Sequence, residues 1–314
     1  MRTEFVVGTR GSALALAQTG TVLSILRAAR PAVVFTVTTV RATADRLPDR
    51  ALDRLPGIGF FVKELEQALL AERIDVAVHS MKDLPTEHAP GLAIAAVPAR
   101  EDPRDVLVAR DGFTLATLPA GSRIGTSSPR RAGFLLAARP DVQVALVRGN
   151  VETRIRKVDA GELDAVCLAA AGLLRLGQAA RITDWLPVHV MVPAPGQGGL
   201  GVQVRAADAD AAAVVGAADD VPTRAAVTAE RAMLSRLEGG CRLPAGALAR
   251  VGRSRDVEDR LDALAAVVSP DGRHIMRSQR SGAVRDANAI GVALADDLLA
   301  QGAGRLAVEQ VRRE

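Results

Sequence analysis

The sequence predicts an α/β protein of two wound lobes followed by a small α+β domain. Three observations carry that expectation. Strand-length apolar runs alternate with segments whose apolar residues recur at helical spacing, the pattern of strands joined by crossover helices. Two polar, proline-rich breaks, around Pro98 to Asp105 and from Val190 onward, split the alternation into a first series, a second series and a return. From Pro222 the pattern becomes a long helix, a hairpin and a last helix. At 314 residues the chain exceeds the usual single-domain size. The predicted domains are 1–98 with 199–217, then 103–192, then 221–314.

Glu4 to Gly8 reads as a short buried strand, and Ser12 can cap a helix whose Leu14, Ala17, Val22, Ile25 and Leu26 keep helical spacing up to Arg30-Pro31. Val33 to Val40 is β-branched and apolar, a second strand. Arg41 to Gly59 holds Pro48, Pro56, Gly57 and Gly59 with no sustained period and reads as a long loop or lid. Phe60 to Arg73 returns to helical spacing and the Asp75 strand follows, so β-α-β-α-β points to a parallel sheet. The second series has a strand ending at Arg123 to Gly125, a helix from Pro129, a strand at Val142 to Val147, a helix from Val151 and a strand at Ala165 to Leu168. Leu200 to Val204 is the returning strand, and the alanine-rich Ala206 to Ala218 reads as a plain surface helix without a site. After the helix from Pro222 to Leu237, Ala263 to Ser269 and His274 to Arg280 flank the turn Pro270-Asp271-Gly272, and Asp286 to Ala300 closes the chain as a helix.

Composition narrows the function. Hydrophobic residues make up 48% and charged residues 24%, as in globular proteins. Aromatics are 2% and tyrosine is absent, which leaves no stacking platform for single-stranded nucleic acid. The formal charge of +4 permits an anionic ligand without demanding nucleic acid. Met-Arg-Thr-Glu-Phe-Val-Val lacks a signal-peptide core, and the apolar run near Ala165 to Leu174 is too short to span a bilayer, so a cytoplasmic protein without membrane or nucleic-acid partners is expected. Cys167 and Cys241 form no disulfide framework or zinc spacing, and His79, His88, His189 and His274 are scattered, so no metal is expected.

The candidate centre is Asp75 to Thr86, an apolar strand that breaks into Ser80, Lys82 and Asp83 where ligands of open α/β sheets are met. Only three of the 40 basic residues are lysines, Lys63, Lys82 and Lys157, and one of them stands in this loop. In Gly125-Thr126-Ser127-Ser128-Pro129-Arg130-Arg131, Ser128 suits the N-cap and Pro129 the first helical position, so both arginines fall in the first turn. Cations there oppose the helix dipole. Either an anion sits at that helix end, or the arginines pair with neighbouring carboxylates. Arg10 with Ser12, and Arg148-Gly149-Asn150 with Arg154 one turn on, repeat the same junction. Opening into one cleft, these sites would take a ligand with several carboxylates or phosphates, and Asp83 would be an acid kept ionised among cations, able to stabilise developing positive charge. Arg175 joins that cluster or is simply a solvated helix residue. Cys241, after two glycines, is either a buried structural thiol or a point of covalent attachment.

Seven ordered blocks give the chain a resemblance to the porphobilinogen deaminase (hydroxymethylbilane synthase) family over essentially its whole length: Thr9 to Ala15, Phe61 to Glu66, His79 to Pro85, Arg100 to Asp105, Gly125 to Arg131, Arg148 to Asn150 and Leu237 to Cys241. The resemblance implies two periplasmic-binding-protein-like lobes (type II) plus a small α+β C-terminal domain. It implies that Cys241 carries a dipyrromethane cofactor through a thioether, that four porphobilinogen molecules are joined head to tail with loss of ammonia, and that the linear tetrapyrrole is released by water. By the same resemblance Asp83 steadies cationic pyrrole intermediates and handles protons. Lys82, Arg130 and Arg131, with Thr126, Ser128 and Gln197, would hold the cofactor, and Arg10, Ser12, Arg148, Arg154 and Arg175 the substrate carboxylates, which suits guanidinium geometry. Two positions depart from the family pattern: Ile58 stands where many members have lysine, and Thr43-Ala44-Asp45 replaces Thr-X-Gly-Asp. A monomer is expected. The competing reading is a two-lobed cytoplasmic anion-binding protein that does no chemistry; a nucleic-acid binder is more distant.

Overall fold

A computed structural model describes residues 2–40, 62–87, 89–238, 244–252 and 259–306. The predicted lid, with Ile58 and Thr43-Ala44-Asp45, and the Cys241 loop lie outside the described residues. The chain divides into two compact units, Met1–Glu101 with Gly199–Arg224, and Asp102–Gly198 with Ala225–Glu314.

The first unit is a five-stranded sheet with helices on both faces. Its elements are β1 (Glu4–Thr9), α1 (Ala13–Ala29), β2 (Val34–Thr39), α2 (Lys63–Leu70), β3 (Val76–Ser80), β4 (Leu92–Ala96), and, from the return, β10 (Leu200–Arg205) and α6 (Ala209–Val215). Strand order is β2-β1-β3-β10-β4. β1 pairs in parallel with β2 and β3, as the β-α-β-α-β pattern requires. The sheet is nevertheless mixed. β10 runs antiparallel to both β3 and β4, because it enters from the return crossing and not through a crossover helix. Alternation along β3 sends Val76 and Val78 to a core with Phe5, Val7, Val22 and Leu26, while Ala77 faces Leu65, Leu69 and Ile74 under α2. α6 is no plain surface helix: Ala211, Val214 and Val215 are fully buried in the first of these cores, so the alanine-rich run packs on the sheet. Arg2, Asp75, Arg205 and Asp208 form one ionic network that ties the N-terminus to the starts of β3 and α6.

The second unit contains β5 (Asp105–Ala109), β6 (Arg123–Gly125), α3 (Pro129–Ala138), β7 (Gln143–Ala145), α4 (Val151–Asp159), β8 (Ala165–Ala169), α5 (Ala170–Arg175) and β9 (Asp184–Trp185). The sheet order β7-β6-β8-β5-β9 repeats the wiring of the first: three parallel strands, then an antiparallel strand supplied by the crossing, then an edge. The junctions β1 to α1 and β6 to α3 are therefore topological equivalents. Both carry the predicted serine cap and arginine.

The same unit includes α7 (Val221–Glu238), most of which follows its boundary, the sheet β11 (Ala245–Gly252), β12 (Arg260–Val268) and β13 (Ile275–Ala283), and α8 (Ala287–Ala300). The hairpin of β12 and β13 forms at the predicted turn. It docks on α3 through two glycines. A Cβ at Gly133 would lie 2.7 Å from the Ser269 carbonyl oxygen. At Gly272, whose φ is +75°, it would lie 2.4 Å from the Ala137 nitrogen. This contact fixes the C-terminal sheet against the middle and end of α3, and Ala266 and Val268 share the core of Leu107, Phe134 and Leu135.

Candidate active site

Each unit carries its own set of predicted site residues. In the first, Ser12 caps α1 as expected, its side-chain oxygen accepting from the Ala15 N–H at 3.3 Å. The end of β3 turns through a single 3-10 turn, Met81–Asp83, with Met81 buried and Asp83 exposed. Arg10, Ser12, Ser80 and Asp83 line one cavity of about 80 Å³, with Lys82 in the same turn. The carboxylate, the guanidinium and the hydroxyl that the sequence predicted from separate blocks are thus brought together.

Two further polar side chains line this cavity, Gln18 and His79. Gln18 donates to the Ser80 hydroxyl at 2.7 Å. Its signal was present in the sequence: it sits in the stripe of Leu14, Val22 and Leu26, where a lone amide among apolar residues needs a partner. His79 shares a hydrogen bond of 3.1 Å with Gln203 on β10. The Gln203 amide nitrogen donates to Glu66, so its oxygen faces the imidazole and His79 Nε2 carries the proton. Burial pushes this histidine down to about 4, against a smaller upward pull from the Gln203 bond, so it is neutral at neutral pH.

In the second unit Ser128 caps α3, accepting from the Arg131 N–H, and Pro129 occupies the first turn as predicted. The Ser128 N–H donates to the hydroxyl of buried Thr126. Arg130 and Arg131 are only 5% and 7% exposed. Both pair with a neighbouring carboxylate, reaching Asp105, the fully buried first residue of β5. Burial alone would raise the Asp105 carboxyl. The charges of Arg130 and Arg131, with hydrogen bonds from Arg130 and Gln197, outweigh it and hold the group well below the usual carboxylate range. Asp105 was overlooked as a site residue, although a carboxylate opening the apolar run Val106 to Ala109 was its signal.

The second unit also carries the predicted Gln197, Arg175, Arg154 and Arg148. Gln197 donates to Asp105 at 3.0 Å and accepts from Arg131 at 3.5 Å. Arg175 is half-buried and donates to the Gly198 carbonyl at 2.7 Å, so it is not a simple solvated helix residue. Asn150 caps α4 through the Thr153 N–H, and Arg154 folds back onto the Gly149 carbonyl. Burial and then the nearby Arg131 charge lower the Arg154 guanidinium, which places these two cations within electrostatic reach. Arg148 precedes this cap, half-buried. Cys241 lies outside the described residues, beyond the end of α7.

The whole sequence points the same way. Residues 5–213 match the family description "Porphobilinogen deaminase, dipyromethane cofactor binding domain", and residues 224–300 match the family's C-terminal domain. The chain belongs to the porphobilinogen deaminase family. It is 53% identical over 98% of its length to the porphobilinogen deaminase of Desulforudis audaxviator, of which the match covers 97%. Identity to the Brevibacillus brevis enzyme is 45%, with 98% of each chain covered. Among solved structures it is similar to the VFT2 domain of Bordetella pertussis BvgS, with a TM-score of 0.41 and 16% identity over 69% of this chain and 87% of that one, a likeness too distant to bear on function. Family membership makes the chain a transferase of tetrapyrrole biosynthesis, a hydroxymethylbilane synthase, that works with a dipyrromethane cofactor. The donor set at the α3 start, guanidinium groups beside the hydroxyls of Thr126 and Ser128, suits a group whose side chains are carboxylates.

Proposed function

We propose that Asp83 is the catalytic carboxylate of this chain and that its arginines divide between cofactor and substrate. The single observation that carries the reading is the cavity in which Asp83 stands with Arg10, Ser12 and Ser80. When bound through Cys241, the dipyrromethane supplies the pyrrole position on which four porphobilinogen units are assembled. Lys82, Arg130, Arg131, Thr126, Ser128 and Gln197 are the residues that would hold it.

Asp83 offers two oxygens that stabilise positive charge as it develops on a pyrrole ring and that accept or return a proton. Arg10 and Ser12 orient a porphobilinogen carboxylate beside it, and Arg148, Arg154 and Arg175 serve further acetate and propionate groups. Every added unit brings two carboxylates, so fixed cations are needed in number. We further propose three domains, 1–98 with 199–217, 103–192 and 221–314, and a cytoplasmic monomer; among the described residues no helix is long and apolar enough to cross a membrane.

The test is porphobilinogen consumption by Asp83→Asn beside Asp83→Ala. Both should fold as the parent does, and the asparagine variant should lose at least about a hundredfold in rate, since shape survives and charge does not. An unchanged rate in a folded variant would remove Asp83 from the mechanism. Binding of porphobilinogen without any consumption by the parent chain would favour the anion-binding alternative.

A further inference from the structure

Asp105 is a charged group, fully buried, that the catalytic scheme above does not use. Its neighbourhood is unusually complete. Oδ2 accepts from Arg130 Nη1 at 2.8 Å, and Oδ1 accepts from Arg131 Nε at 2.8 Å and from Gln197 Nε2 at 3.0 Å. Backbone carbonyls finish the frame: Val192 takes Arg130 Nη1 at 2.6 Å, Cys167 takes Arg131 Nη1 at 3.2 Å, and Pro103 takes Gln197 Nε2 at 2.8 Å. One carboxylate therefore fixes the planes of two guanidinium groups that leave adjacent positions of one helix.

The hydrogens left over are as informative. Arg130 spends only Nη1 on protein acceptors among the described residues, which leaves Nε and Nη2 for a ligand. Ligand-facing N–H groups on a rigid guanidinium form the two-pronged donor that matches a carboxylate. A flexible arginine at the same place would have to be ordered when the ligand binds, at a cost in entropy. Resting on the assignment of Arg130 and Arg131 to the cofactor, we propose that Asp105 is the positioning residue of this anion site: it holds both guanidinium groups in the orientation that receives a carboxylate of the dipyrromethane.

Positioning and plain charge counting predict opposite signs. If the arginines acted only as a positive potential, removing the Asp105 charge would strengthen anion capture. Positioning predicts that it weakens. The Asp105→Asn side chain would be nearly isosteric, yet its amide nitrogen would face a donor where Oδ1 or Oδ2 now accepts, so one of the three clasps must open.

The experiment uses the full chain in its cofactor-free form, incubated with porphobilinogen, with cofactor gain followed by intact mass over time. Asp105→Asn should gain the mass at least about tenfold more slowly than the parent, and Gln197→Leu, which keeps both ion pairs, should be slower in the same direction by a smaller factor. In parallel, the Arg131 Nε–H proton resonance should be slowly exchanging in the parent and in Gln197→Leu, and fast in Asp105→Asn. A folded Asp105→Asn that loads as fast as the parent, or faster, overturns the proposal. Should that variant fail to fold, Asp105→Glu, which keeps the charge but displaces it by one methylene, decides: parent-like loading overturns the proposal and slower loading supports it. A parent chain that never loads refutes the cofactor assignment itself, a distinct outcome.

Discussion

Acidification should weaken the first unit through His79, and the structure sets the size of the effect. The buried imidazole titrates at about 4 in the folded chain against 6.5 when free. Above 6.5 neither state holds the extra proton and the full contribution is present. Between the two values the unfolded chain binds a proton that the folded chain refuses, so stability falls as the pH falls; below about 4 the contribution is gone. The whole interval is worth roughly 3 kcal/mol, of which about 2.5 kcal/mol should be lost by about pH 4.5. His79→Gln isolates this share, because glutamine can still donate to the Gln203 oxygen but does not titrate. The assay is native-state amide exchange at Val78 and Val202, corrected for intrinsic pH dependence, which reports opening of β3 and β10 without assuming that a multidomain chain unfolds in one step. The parent should lose about 2.5 kcal/mol more protection than His79→Gln between about pH 7 and about pH 4.5. Equal losses in the two proteins would show that His79 is not held neutral by burial.

Two other perturbations probe the scaffold around the site. Gly272→Ala forces a side chain onto a positive φ and into the Ala137 backbone, and should cost roughly 2–4 kcal/mol, read as a lower thermal midpoint of the second unit. Arg2→Ala opens the network with Asp75 and Asp208; Arg2 is 39% exposed at its side chain, so the loss should be no more than about 1 kcal/mol and should shrink further in high salt, measured by urea titration at two ionic strengths.

Much of this architecture was legible because local chemistry and global topology agree. Ser12, Ser128 and Asn150 cap the helices they were expected to cap, and the Pro270-Asp271-Gly272 turn closes its hairpin. What stayed hidden was non-local. The antiparallel entry of β10 depends on where a chain returns, which periodicity does not encode. β11 was missed because Ala-Gly-Ala-Leu-Ala has poor strand propensity and is held by pairing with β12. Packing of α6 was missed since alanine buries fully without looking hydrophobic in sequence.

The site divides along the same line. Loop cations at strand ends announced themselves by type and position. Their partners did not: Asp105 lies 25 and 26 residues from the arginines it joins, and Gln203 lies 124 from His79. Those partnerships exist only once sheets have formed, and they decide which N–H groups remain for a ligand.

The most direct test of the whole account is the intact mass of freshly purified protein beside Cys241→Ala. An excess equal to two linked pyrrole units is expected in the parent and not in the variant, with porphobilinogen consumption only in the parent. A parent chain at its bare mass that stays bare after incubation with porphobilinogen would contradict it.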